Sequence, residues 1–146
     1  MKLRSVVFVA VGLMLAADKP ADEAKKELKK FQGTWKIVSL EAEGEKLPAD
    51  TFKDSKLVIK DDQFTFTEGK AVSKGTFKVD ASKKPKTIDI KFTEGPEKGQ
   101  TLMGIYEIDG DTYKVCLDPT GKKRPTKFES KKGSGAVVEV LKREKK

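Results

Sequence analysis

Residues 101–118 read TLMGIYEIDGDTYKVCLD, and this stretch decides the fold. In its second half Tyr113, Val115 and Leu117 alternate with more polar positions. This period of two is typical of a strand with one buried face and one solvent-exposed face. A similar run fills the first half, and Asp109-Gly110 lies between the two. Positive φ at both turn residues would suit a two-residue type I′ loop. The stretch therefore predicts an antiparallel β-hairpin.

The same period of two continues along the chain from Thr34 onward. Phe64 and Phe66 alternate with polar residues, and so do Ile88 and Ile90. Turn residues separate short β-rich runs, which we predict as strands at residues 34–42, 56–60, 63–67, 71–80, 87–92, 101–109, 112–118, 126–130 and 136–143.

Short connections favour pairing of each strand with the next. Eight or nine strands in that order close most easily into an all-β up-and-down barrel, which also removes exposed sheet edges. A two-sheet sandwich is the alternative. The links 47–55 and 119–125 are long enough to cross an end of the structure, and Pro48 is placed to open a helical turn in the first of them.

A short helix is predicted before the strands, at residues 20–31. Acidic residues in its first turn and lysines further on complement the helix dipole. Because its apolar stripe is narrow, we expect the helix to pack against the rest of the molecule. The stripe consists of Ala21, Ala24, Leu28 and Phe31.

The first seventeen residues differ from the rest of the chain. Lys2 and Arg4 precede an apolar run that ends in small residues, which is the layout of a secretory signal peptide. The run is about ten residues long, too short to span a bilayer. We expect cleavage near Ala17 and a periplasmic or secreted domain at 18–146, with an uncleaved anchor or a buried helix as the alternative. No cysteine follows the run, so a lipid attachment is not expected.

The formal net charge is +8. The lysines are spread among acidic residues, which favours a solvated surface over a patch for anionic glycans, nucleic acid or lipid head groups. No stripe of basic and aromatic residues points to nucleic acid. We expect a monomer with no nucleic-acid partner and no membrane span.

The composition argues against an enzyme. The chain has no histidine, the commonest general base and zinc ligand, and Cys116 is its one cysteine. A lone cysteine forms no intramolecular disulfide, and it lacks an adjacent base of the usual kind for nucleophilic catalysis. The residues around Asp109-Gly110-Asp111 do not continue as a calcium loop. No metal and no cofactor are expected.

Gly33-Thr34-Trp35 begins the first predicted strand, and Arg143 lies near the end of the last one. This pair resembles the Gly-x-Trp signature of lipocalin-like barrels. The resemblance implies that Trp35 closes one end of the barrel and that the Arg143 guanidinium packs over the indole. Gly33, Trp35 and Arg143 are therefore assigned to barrel closure.

A second resemblance covers nearly the whole chain after residue 17. The chain is similar to an exported paralogous domain family of planctomycetes, which is described as lipocalin-like and has no established activity. The stretches that carry the resemblance are Phe31 to Trp35, Glu94 to Gly99, Gly104 to Tyr106, Asp109 to Asp111, Val115 to Leu117, Arg124 to Thr126 with Phe128, and Leu141 to Arg143.

The interior of a barrel of this size can be filled by its own side chains or can hold one small ligand. These two possibilities correspond to two functions. The first is a binding module for a small, partly apolar or anionic molecule. The second is a protein-interaction or inhibitor barrel with a solid core. The candidate ligand-binding residues are Arg124, Tyr106, Phe64, Phe66 and Phe77.

Arg124 has two interpretations. Pro125 restricts the backbone before it to an extended conformation, so the Arg124 side chain has a fixed direction. The arginine either bonds carbonyl groups and braces the 119–125 link, which we favour, or presents an anion donor at the barrel mouth.

Overall fold

The computed structural model describes residues 22–145 and contains one closed antiparallel β-barrel. From β3 onward each strand pairs with the next along the chain, and β1 pairs with β2, β3 and β9. The pairing of β1 with β9 closes the barrel and excludes a sandwich. The strands are β1 (Gly33–Ala42), β2 (Glu45–Lys46), β3 (Ser55–Lys60), β4 (Gln63–Glu68), β5 (Ala71–Asp80), β6 (Lys86–Glu94), β7 (Thr101–Asp109), β8 (Thr112–Leu117) and β9 (Val137–Arg143). The predicted up-and-down barrel is confirmed.

Eight strands form the barrel wall, and β2 is a short extra strand paired with the end of β1. The first residues of β1 pair with β3, whereas its longer part, from Trp35 to Ala42, pairs with β9. A register shift between Ile37 and Ser39 lets β1 bend between its two neighbours.

A helix at residues 22–31, α1, closes one end of the barrel, which we call the floor. Phe31 is fully buried there, with its ring centroid 5.4, 5.1 and 5.2 Å from those of Phe77, Tyr106 and Tyr113. The Trp35 indole N–H donates to the Phe31 carbonyl oxygen at 2.8 Å. The opposite end, where β1 finishes and β9 begins, is the mouth.

The buried face of α1 differs from the predicted stripe. Ala24 is exposed, whereas Glu27, a charged residue one turn before Phe31, is only 4% exposed. Glu27 can be buried because Tyr106, Lys30 and Lys86 at the floor bind its carboxylate. The beginning of the predicted helix and the predicted signal peptide lie outside the described residues.

Two local predictions concern the turn that follows β2 and the β7–β8 hairpin. A short 3₁₀ turn at Ala49–Thr51 follows Pro48, as expected. Asp109 pairs with Thr112, so the two-residue loop is Gly110-Asp111 rather than Asp109-Gly110. Gly110 has φ +58° whereas Asp111 is not among the positive-φ residues, which fits a type II′ loop instead of type I′.

The predicted strand at 126–130 is wrong. β8 and β9 pair directly along the whole of β8, which leaves no strand edge for 126–130 to join. Residues 118–136 instead cross the outer surface of the barrel wall and cover a second, smaller core. That core consists of Ile105, Cys116 and Val138, with Phe128 and Ala136 packed against it.

Within residues 22–145, no helix has the length and apolar character needed to cross a bilayer.

Candidate functional site

A cavity of about 180 Å³ lies inside the barrel. This exceeds the roughly 150 Å³ of an engineered apolar cavity that binds benzene. All but one of the side chains that line it are apolar or aromatic, namely Phe31, Leu57, Ile59, Phe64, Phe66, Phe77, Ile88, Ile90, Phe92, Leu102, Tyr113, Val115, Leu117 and Leu141; the exception is Glu139.

The cavity opens toward the mouth. Lining residues near the floor, such as Ile59 and Leu141, are buried, whereas Leu57, Phe66 and Leu102 are partly exposed. The partly exposed lining residues thus lie on the side of the cavity that faces the mouth.

Three of the predicted ligand-binding residues, Phe64, Phe66 and Phe77, line this cavity. The Phe64 ring meets Phe92 edge-on at a centroid distance of 5.4 Å. Gly75 leaves room for it, since a Cβ at this position would come within 2.8 Å of the Phe64 ring. The apolar wall thus depends on a glycine in the middle of β5.

Tyr106 lies below the cavity and does not line it. Its hydroxyl donates to Glu27 Oε2 at 2.6 Å, inside the floor. Lys86 Nζ and Lys30 Nζ each lie 3.0 Å from the same carboxylate. Burial opposes the charged form of Glu27, yet these bonds from Tyr106, Lys30 and Lys86 hold its pKa below the usual value. Tyr106 is therefore engaged in attaching α1 to the barrel and is not among the residues that line the cavity.

Arg124 lies outside the barrel, where it braces residues 118–136. Its Nη1 donates to the carbonyl oxygens of Ile88 at 3.1 Å and Gly104 at 2.9 Å. Its Nη2 is 2.6 Å from Oδ1 of Asp89, which points away from the interior because it alternates with inward Ile88. The arginine does not line the barrel cavity, and its contacts are those of the bracing interpretation that the sequence favoured.

Trp35 and Arg143 form a stacked pair at the floor. Trp35 is fully buried, and the guanidinium carbon of Arg143 lies 4.3 Å from the centroid of its ring. The same guanidinium donates to the backbone oxygens of Gln32 and Lys30 and, through Nε, to Asp111. A Cβ on Gly33 would lie 3.2 Å from Arg143 Nη1, and the φ of Gly33 is +121°, so a glycine suits this position.

Glu139 is the acidic residue in the cavity wall, and it was not among the residues predicted for the site. It lies on β9 in phase with Val137 and Leu141, at a position where every neighbour along the inward face is apolar. Its carboxylate has no ion pair or hydrogen bond with any residue between 22 and 145. Burial raises the pKa of Glu139 to about 7, and the negative charge of Glu68 adds to the shift.

Glu139 retains partial accessibility although protein atoms surround it, because the surface it exposes faces the cavity. Tyr113 lines the same cavity, and burial, followed by the charge of Glu139, raises the pKa of its phenol. The tyrosine therefore stays protonated. A residue in the inward phase of an otherwise apolar strand was the signal in the sequence that could have identified Glu139.

Residues 22–145 form a closed up-and-down β-barrel with an apolar cavity that opens at the mouth, and the carboxyl group of Glu139 lies in the wall of this cavity. No protein-family model, no curated protein and no solved structure matches the chain.

Proposed function

We propose that this protein is a binding barrel that takes a small, largely apolar molecule into its interior. The observation that carries the proposal is the open cavity of about 180 Å³ with an almost wholly apolar lining. A barrel whose task is to display loops to a partner has no use for such a space, because filling it with side chains would add stability. The cavity thus favours ligand binding over a solid interaction barrel.

The proposal is one of binding rather than catalysis. Binding needs shape and apolar area, which the cavity supplies, and a few polar groups for orientation. General acid–base chemistry near neutral pH is most often done by histidine, which the chain lacks.

We also propose that the barrel works outside the cytoplasm, in the periplasm or as a secreted protein. The support is the sequence of the first seventeen residues, with its basic beginning, apolar middle and small-residue end.

The binding proposal can be tested with two neighbouring residues of β3. Leu57 lines the cavity, whereas the side chain of Val58 points outward and is 39% exposed. Leu57→Trp fills the cavity, and Val58→Trp adds the same side chain outside it. The neutral fluorophore N-phenyl-1-naphthylamine serves as the apolar probe.

We expect saturable binding of the probe to the native protein and to Val58→Trp, and a loss of at least tenfold in affinity for Leu57→Trp. Thermal melts verify that both variants fold. Absence of saturable binding to the native protein, or equal binding by all three proteins, would overturn the proposal.

A further inference from the structure

The inference concerns the chemical class of the ligand and rests on the proposed function. Glu139 lies about halfway along the inner wall of the barrel, on β9. Leu40 on β1 and Val115 on β8 are its cross-strand neighbours, and both are apolar. Because side chains alternate between the two faces of β9, the Glu139 carboxyl group faces the cavity. No residue between 22 and 145 forms a hydrogen bond or ion pair with it.

An ionisable group without a partner in an apolar interior is costly to the fold. Burying an uncompensated carboxylate is among the most expensive substitutions in a core, and a leucine or valine here would pack without that cost. The floor shows how this same chain treats a buried carboxylate that belongs to the structure, since Glu27 accepts bonds from Tyr106 and two lysines. Glu139 has no such partners, and its carboxyl group is only partly accessible, through the cavity that it lines.

The charges that face Glu139 are negative. Glu68, in phase with Phe64 and Phe66 on β4, is the charged residue that acts on it, and Tyr113 on β8 is the nearby titratable group. The other side chains that line the cavity are uncharged. An anionic ligand would meet like charge in this space, whereas a cationic group would supply the missing partner.

We propose that the cavity selects an apolar molecule that carries one ammonium group, with the hydrocarbon part against the phenylalanines and the nitrogen at the Glu139 carboxylate. The phenylalanines are Phe64, Phe66 and Phe77. An ammonium donor and a carboxylate acceptor form a charge-assisted hydrogen bond, which is strong when water is excluded. The ammonium group of the ligand thus forms the ion pair that Glu139 lacks in the protein alone.

The test compares three probes that share one chain and differ in their head group: octylamine, octanol and octanoate. Each is titrated by calorimetry at pH 8 into the native protein, Glu139→Gln and Glu107→Gln. Glu107 is an exposed glutamate on β7, so its substitution removes the same charge from outside the barrel.

We expect octylamine to bind the native protein at least tenfold more tightly than octanol, and octanoate to bind most weakly. Glu139→Gln should weaken octylamine by about 10- to 100-fold, the range of one hydrogen bond to a charged group, while octanol changes less than twofold. Glu107→Gln should match the native protein. Octylamine affinity should fall from pH 8 to pH 5 as Glu139 takes up a proton, since an alkylammonium remains charged over that range.

Other results would distinguish failure of the amine inference from failure of the proposed binding function. If octanol binds as tightly as octylamine and Glu139→Gln changes neither, the amine inference is wrong and the apolar binding barrel stands. If octanoate binds best, the inference is likewise overturned. If none of the three probes binds and Leu57→Trp has no effect on the fluorophore, the binding function itself is wrong.

Discussion

Glu139 makes the stability of the barrel depend on pH. Its pKa is raised from 4.5 to about 7 in the folded protein, so the folded state holds this proton more tightly than the unfolded chain does. The free energy of unfolding must therefore decrease as pH rises from about 4.5 to about 7, and the loss is complete above that window. The carboxyl group is harmless to the fold when it is protonated and destabilising when it is charged.

Glu139→Gln removes this pH dependence. We expect the variant and the native protein to be equally stable at pH 4. At pH 8 the variant should be more stable by about 3 kcal/mol, because the pKa is raised from 4.5 to about 7 and one pKa unit corresponds to about 1.4 kcal/mol. Urea unfolding at pH 4, 6 and 8 measures the difference. A difference that is the same at all three pH values would show that Glu139 has an ordinary pKa.

The stacked pair at the floor leads to a second prediction. Trp35→Ala should reduce the free energy of unfolding by about 3–5 kcal/mol, the usual effect of removing a large buried aromatic side chain, and Arg143→Ala should reduce it by less. Because the two side chains share one contact, the double variant should lose less than the sum of the two single losses. Strictly additive losses in urea unfolding would mean that the stacking at 4.3 Å contributes nothing.

At the scale of elements, residues 118–136 act as a strap on the outer wall of the barrel. Asp118 holds its beginning: its carboxylate accepts bonds from Thr120 and from the backbone N–H of Lys123. The hydrogen bond from the Thr120 side chain, with help from the backbone bonds, keeps the pKa of Asp118 low. Arg124 then fixes the strap to β6 and β7.

Arg124→Met tests the bracing role. Loss of the bonds to Ile88, Gly104 and Asp89 should lower the melting temperature and reduce stability by about 1.5–3 kcal/mol, the scale of hydrogen bonds that involve a charged group. Octanol affinity should stay within twofold, because Arg124 lies outside the cavity. Lys123→Met, at the neighbouring exposed side chain, is the control. An unchanged melting temperature combined with lost octanol binding would return Arg124 to the ligand site.

Elements that follow a strict period were predictable. Phe64, Phe66, Ile88 and Ile90 all face inward as their alternation indicates, because a strand with one wet face has no other low-energy orientation. The 126–130 segment was not predictable in this way, since its β-like composition serves packing of Phe128 on the outer core rather than pairing. The local sequence pattern cannot reveal that β8 and β9 are hydrogen-bonded to each other and leave no free edge for a further strand.

The candidate site was less predictable than the fold. The apolar lining follows from strand phase, but the unpaired state of Glu139 and the engagement of Tyr106 by Glu27 depend on contacts between residues that are far apart in the chain. A search restricted to common catalytic and metal-ligating patterns passes over a single carboxyl group. Its significance arises from what surrounds it.

At the scale of the whole molecule, export is the part of the proposal that the barrel itself leaves open. If the first seventeen residues are a signal peptide, the mature chain begins near Asp18. The intact mass of protein recovered from the extracytoplasmic fraction should then lack these residues. Recovery of a chain that retains Met1 from that fraction would contradict cleavage.

The pairing of β1 with β9 also determines the order in which the molecule can fold. Neighbouring strands from β3 to β8 join residues that are close in sequence, whereas closure joins Trp35 to Arg143. Contacts between such distant positions form slowly, because the entropy of the long loop is lost before they form. During synthesis the edge of β1 that pairs with β9 stays unpaired until the last strand has been made. A chain interrupted before Val137 keeps its hairpins but leaves β8 and the longer part of β1 with free edges, which are sites for aggregation with other chains.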